Sequence, residues 1–171
     1  MKSYLEQVRE WYQLFEQGIP DSGSRPSLTN DLIAPRLNLK MDLIFEEFQE
    51  LVTAVYGEAA GEELLSVWPK VKELDSQERD VVEAADALAD LSYVIAGMAL
   101  EANIPLDEVF EHVHQSNISK LGEDGKALLS DGVTPAPDGE IKPLGKILKG
   151  PNYWEPDIAA ILFDRDEKDS K

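Results

Sequence analysis

The chain has 171 residues, 43% hydrophobic and 29% charged, which is enough apolar material for one domain with its own core. Its formal net charge of -18 supplies no basic footprint for a nucleic-acid duplex, and the absence of cysteine excludes disulfides, thiolate nucleophiles and cysteine-based zinc sites. No apolar run approaches a membrane span and "MKSYLEQVREWYQLFEQ" lacks the apolar centre of a signal peptide, so a cytoplasmic protein without a membrane partner is expected.

Tyr4, Leu5, Val8, Trp11, Tyr12 and Phe15 recur at helical spacing and predict a first helix over 2–17, ended by Gly18 and Pro20. Residues 18–37, with three Pro and two Gly, read as a long loop of the kind that is usually functional or mobile. A second helix is predicted over about 39–56, with Gly57 and Gly61 breaking or bending the chain. A shorter helix follows over about 62–74, its end disturbed by Pro69, and a long one over 76–103, capped by Ser76. Pro105 opens another helix to about 116. Beyond Lys120 the chain turns to Gly, Pro and Asp and reads as loop or hairpin, and "DRDEKDSK" as a frayed tail. Amphipathic helices without notable strands predict an all-α bundle, with residues 1–160 as a single domain and 161–171 as a charged tail.

Two acidic stripes stand out when each residue is turned by 100°. In the second helix Ile44, Phe48, Leu51, Val52 and Val55 form an apolar arc. Glu46, Glu47 and Glu50 run along its flank, at the expected edge of the core. In the long helix Glu83, Asp86 and Asp90 share one stripe of a segment that is otherwise apolar nearly all round and is expected to be buried centrally. No Lys or Arg occurs over residues 41–69 or 80–119. Like charges one turn apart cost a few tenths of a kcal/mol, and partly buried unpaired carboxylates cost several kcal/mol or protonate. One stripe alone would read as a solvated face. Two stripes inside apolar helices read as ligands for a hard divalent cation such as Mg²⁺ or Mn²⁺. A di-iron site needs Glu-x-x-His pairs. The two histidines, His112 and His114, are two apart and on different helix faces, so a di-iron site is not expected and both read as structural or surface residues.

"EEFQE" (46–50) followed by "EAAD" (83–86) resembles the E-E-x-x-E … E-x-x-D signature of the all-α nucleoside triphosphate pyrophosphohydrolases. That superfamily includes MazG, dimeric dUTPases and phosphoribosyl-ATP pyrophosphohydrolase. "VFEHVHQSNISKLGEDGK" (109–126) and "GKILKGPNYWEPDI" (145–158) are similar to later family segments, so the resemblance covers roughly residues 38–158. It is closest to the phosphoribosyl-ATP pyrophosphohydrolase-like and MazG-like branch. The spacer between Glu50 and Glu83 is longer than usual for MazG and should add a helical insertion.

The resemblance implies a four-helix-bundle core of MazG-like type, with additional short helices and an irregular C-terminal segment. It implies hydrolysis of a nucleoside triphosphate to the monophosphate and pyrophosphate, with a deoxy or non-standard nucleotide as substrate and nucleotide-pool cleansing as the role. Two alternatives stay open: phosphoribosyl-ATP hydrolysis in histidine biosynthesis, and a non-catalytic bundle that binds Mg-nucleotide. The metal ligands implied are Glu46, Glu47, Glu50, Glu83 and Asp86, with Glu47 also the base for the attacking water. Asn117 and Lys120 would hold phosphate oxygens, joined by Lys146 and Lys149. Asp90 would be an outer ligand or pair with a lysine. Trp11, Phe15 and the turn at Ile19 and Pro20 could line a base slot, or simply pack the core. Family members form dimers or tetramers with sites near subunit interfaces, so a homodimer or homotetramer is expected.

Overall fold

The computed structural model describes residues 2–164, which build six α-helices and contain no strand. The chain is all-α, and it divides into two compact units: Pro20–Ala85, and the residues up to Ile19 together with those from Asp86 onward.

The unit Pro20–Ala85 is organised by a helical hairpin. A 3-10 turn at Ala34–Arg36 leads into α2 (Leu37–Tyr56), and α3 (Glu58–Glu73) folds back along it. Gly57 is the one residue between these helices. Its φ of +94° is a conformation that a Cβ would strain, which explains why the chain can reverse there. Gly61, expected to break or bend the chain, lies inside α3 instead. A Cβ at 61 would stand 1.9 Å from Thr53 Oγ1 and 2.7 Å from Gln49 Nε2, so the glycine sets how closely the two helices approach. Farther along, Phe45 stacks on Trp68 at 4.2 Å, and Asp42 Oδ1 accepts from Trp68 Nε1 at 2.7 Å and from Lys72 Nζ at 2.9 Å. Replacing Gly61 by Ala should destabilise the protein by about 1–3 kcal/mol through overpacking. Urea unfolding measures this, and Thr53→Ala in the same chain should restore part of the loss by removing the clashing hydroxyl.

The connection to the next helix differs from the expectation. Arg79 holds Asp75 with two parallel bonds of 2.7 and 2.9 Å, and this guanidinium, helped by the Gln77 N–H, holds the Asp75 carboxyl down to about 2. Gln77 takes a φ of +64°, so the helix cannot begin at Ser76, whose hydroxyl accepts from Glu78 N–H in a local turn. The cap is Asp80: its Oδ1 accepts from the N–H groups of Val82 and Glu83 at 2.9 and 3.1 Å. Helix α4 therefore spans Val81–Glu101.

Of α4, Ala99 alone is buried, while Tyr93 is 82% and Val94 60% exposed. Among the described residues the expected central burial is not met. A helix apolar on every side needs neighbours on every side to bury it.

In the other unit a capping box starts α1 (Tyr4–Leu14): Ser3 Oγ accepts from Glu6 N–H while the Glu6 carboxylate accepts from Ser3 N–H. It packs on α5 (Leu106–Ile118), where Tyr4 stacks on Phe110 at 4.3 Å. Beyond α5 the chain pairs loosely through isolated bridges, Leu129 with Ile147 and Pro135 with Ile141, as the Gly- and Pro-rich composition leads one to expect. A short α6 (Ile158–Phe163), capped by Asp157, packs on α5 and runs into the segment expected as tail. Residues 165–171 of that tail lie outside the described residues.

Candidate functional site

Helix α2 carries Glu46, Glu47 and Glu50 within little more than one turn, backed by the stack of Phe45 on Trp68. Glu46 is half-buried, and Glu47 and Glu50 are exposed rather than held at the edge of a core. Glu83 occupies the first turn of α4, where its N–H is fixed by Asp80, and Asp86 follows one turn later. Both carboxylates are exposed. Glu46, Glu47, Glu50 and Glu83 belong to the Pro20–Ala85 unit and Asp86 to the other. Among the described residues no group of three or more His, Asp or Glu side chains is gathered where it could hold a metal ion. Glu50, Glu83, Asp86 and Asp90 make no ion pair among the described residues.

The loop before α2 is ordered by its own side chains. Asn30 Oδ1 accepts from the N–H groups of Leu32 and Ile33, both at 3.0 Å. Leu28 of this loop, with Met41 and Trp68, walls a cleft of about 330 Å³ within the same unit, a size that suits a small planar group.

The basic candidates divide. Lys120 Nζ donates to Asn117 Oδ1 at 2.6 Å, so these two act together at the end of α5. Lys149 joins them across a shared ring: its Nζ lies 4.5 Å, and that of Lys120 5.9 Å, from the centroid of Tyr153. Lys146 sits instead in the paired loop, where its carbonyl accepts from Ser130 N–H.

The segment carrying Tyr153 is strapped to α5 by side chains that bond its main chain. Ser116, 3% exposed, donates its hydroxyl to Trp154 O at 2.8 Å, and Ser119 Oγ accepts from Trp154 N–H at 3.2 Å. His112 Nε2 accepts from Asp157 N–H at 3.2 Å, which requires a neutral ring with its proton on Nδ1. His112 is thus structural. His114 is buried and its Nε2 stands 3.6 Å from Glu10 on α1. Glu111 precedes it by three, the one Glu-x-x-His spacing in the chain, but accepts from Gln115 at 2.9 Å. Phe15, 1% exposed, stacks on Trp11 at 4.5 Å, so both serve packing.

Tyr153 and Gly150 were not among the sequence candidates. The signal was present in "KGPNY", where a glycine directly follows a candidate lysine.

Comparison with known proteins adds three findings. The family model described as phosphoribosyl-ATP pyrophosphohydrolase matches residues 8–117, more than half of the chain. No curated protein matches significantly. A solved crystal structure from Exiguobacterium sp. 255-15, named as a candidate NTP pyrophosphohydrolase, shares the fold at a TM-score of 0.61 and 20% identity, with 99% of each chain covered. No described helix is long and apolar enough to cross a membrane.

Proposed function

The chain belongs to the phosphoribosyl-ATP pyrophosphohydrolase family, a family of hydrolases, and on that premise we propose that it cleaves a deoxy or non-standard nucleoside triphosphate to the monophosphate and pyrophosphate, cleansing the nucleotide pool. The observation that carries this reading is the pair of carboxylate stripes, on α2 and at the start of α4.

Taken together the five carboxylates would be an all-oxygen donor set, a chemistry that suits Mg²⁺ or Mn²⁺ and not a soft metal. Glu46, Glu47, Glu50, Glu83 and Asp86 would hold the ion. When bound, it would polarise the phosphoryl group and neutralise charge between a triphosphate and an acidic protein. Glu47 takes the proton of the attacking water. Asn117, Lys120, Lys146 and Lys149 hold phosphate oxygens, the lysines as cations and the asparagine through its amide. The apolar faces left exposed on α4 are assigned to contacts with further copies of the chain, as a homodimer or homotetramer.

A second substrate, phosphoribosyl-ATP, is favoured by the description of the family model itself. The deciding experiment incubates the protein and Mg²⁺ with canonical, deoxy and modified triphosphates and with phosphoribosyl-ATP, and measures monophosphate and pyrophosphate. A dominant modified or deoxy substrate supports pool cleansing, and dominant cleavage of phosphoribosyl-ATP replaces that role. Tight Mg-nucleotide binding with no product would leave a non-catalytic binding bundle.

Metal dependence has a separate readout. An ion that binds only the native state stabilises it by mass action, by about 2.7 kcal/mol at a hundred times its Kd. Millimolar Mg²⁺ or Mn²⁺ should therefore raise Tm by several degrees, and an unchanged Tm would mean that the stripes are only solvated acidic faces.

A further inference from the structure

The cleft walled by Leu28, Met41 and Trp68 lies in the same unit as Glu46, Glu47, Glu50 and Glu83. The cations that line it are already paired. Lys72 gives its ammonium to Asp42 at 2.9 Å, and Arg79 gives both terminal nitrogens to Asp75 at 2.7 and 2.9 Å. A phosphate or carboxylate entering here would compete with acids already in place, so the lining suits an uncharged guest. Trp68 is held firmly. Phe45 covers one face at 4.2 Å with the rings within 4° of parallel, and Asp42 fixes the indole N–H at 2.7 Å. What Trp68 turns to the cleft is therefore aromatic surface that Phe45 leaves open. Asn38 is the one neutral amide in the lining. It is exposed, its side chain makes no hydrogen bond among the described residues, and its amide offers both donors and an acceptor. About 330 Å³ of space with an aromatic wall and one uncommitted amide has the chemistry of a site for a planar heteroaromatic ring.

The cleft and the carboxylates share one rigid helix. Asp42, Glu46 and Glu50 follow one another at intervals of four residues and so form a single row on α2. The row begins where Asp42 binds two cleft residues, Trp68 and Lys72, and runs on to the proposed ion ligands. From Met41 to Glu46 the helix rises about 7.5 Å, comparable to the reach from the base of a nucleotide to its phosphates. We propose that this cleft binds the nucleobase of the substrate, with Trp68 as the surface on which the base packs and Asn38 as the residue that reads its edge. The base site deepens the function proposed above and rests on it for the identity of the guest.

The test is an NMR titration of the nitrogen-15-labelled full chain with the nucleosides of the common bases and, separately, with ribose 5-phosphate, which lacks a base, in buffer free of divalent metal. The chain has three tryptophans, and Trp11→Phe, Trp68→Phe and Trp154→Phe assign their indole N–H signals. At least one nucleoside should shift the Trp68 signal saturably and leave those of Trp11 and Trp154 in place, while ribose 5-phosphate moves none of them. Asn38→Ala should weaken that binding about tenfold, the worth of one lost hydrogen bond, and reduce the differences between bases. Met41→Glu, which puts a charge into the cleft, should abolish it. Both side chains are exposed on α2, so neither change threatens the fold. A Trp68 signal that no nucleoside moves, one that ribose 5-phosphate moves equally, or nucleoside binding unchanged in both variants overturns the base site. The nucleosides carry no phosphate, so the titration is independent of catalysis. Nucleoside binding without cleavage of any nucleotide sinks the proposed activity and leaves the base site. Cleavage with a silent Trp68 does the reverse.

Discussion

Replacing Glu47 by Gln is expected to lower turnover by roughly 10²- to 10⁴-fold, the usual contribution of a positioned base, while costing little stability. The reason for the second half is its position. Glu47 is exposed on α2, and a charged contact at an exposed site contributes at most about 1 kcal/mol. The amide keeps the shape of the side chain and loses the ability to take a proton. Glu83→Gln should also abolish most turnover but by another route, through weakened ion binding. The two are told apart by measuring pyrophosphate release across a Mg²⁺ titration. Excess Mg²⁺ should recover part of the Glu83→Gln rate, whereas in Glu47→Gln, itself one of the proposed ion ligands, it restores the ion but not the base, so that rate stays low. Unaffected rates in both variants would remove these residues from the site.

Self-association should have the next largest effect. Of 21 residues in α4, one is buried, and Val82, Leu88, Leu91, Tyr93, Val94, Ile95, Met98 and Leu100 are all exposed. Each such side chain gives about 1.5–3 kcal/mol on full burial, and monomers rarely leave so large a contiguous apolar patch in water. Sedimentation at micromolar concentration should therefore show a dimer or tetramer, and Tm should rise with protein concentration. Val94→Asp places a charge on that face. In a two-fold interface the change is felt twice, and each unpaired buried carboxylate costs several kcal/mol. The variant should sediment as a monomer and melt at lower temperature. A monomeric parent protein, or a Val94→Asp variant with unchanged assembly, would contradict this reading.

What could be read from the sequence follows from what each feature depends on. The helices were legible because their apolar periodicity is local, and Gly57 was legible as a break because nothing else tolerates its backbone. The start of α4 was misread at Ser76. Both Ser76 and Asp80 are good caps, and the choice between them is made by the Asp75–Arg79 pair and the left-handed Gln77. Gly61 looked like a second break because sequence shows a missing side chain but not the Thr53 hydroxyl that fills its place. The carboxylate stripes were visible as patterns, whereas their exposure depends on what surrounds each helix. The strap was invisible for a different reason. Its bonds join side chains to main-chain atoms 35, 38 and 45 residues away, and main-chain partners leave no mark on residue identity.

The one-residue connection at Gly57 also bears on the order in which the molecule forms. The contacts that define the α2–α3 hairpin are local, Lys72 with Asp42 spanning 30 residues and Trp68 with Asp42 spanning 26, and closing so short a loop costs little entropy. This hairpin can therefore assemble early, from local sequence alone, with Glu46, Glu47 and Glu50 already fixed along one rigid element. Helix α4 has no such local solution for its apolar surface. On the proposed assembly its folding would be tied to the arrival of other copies, and protein concentration, not only sequence, would govern when the chain is complete.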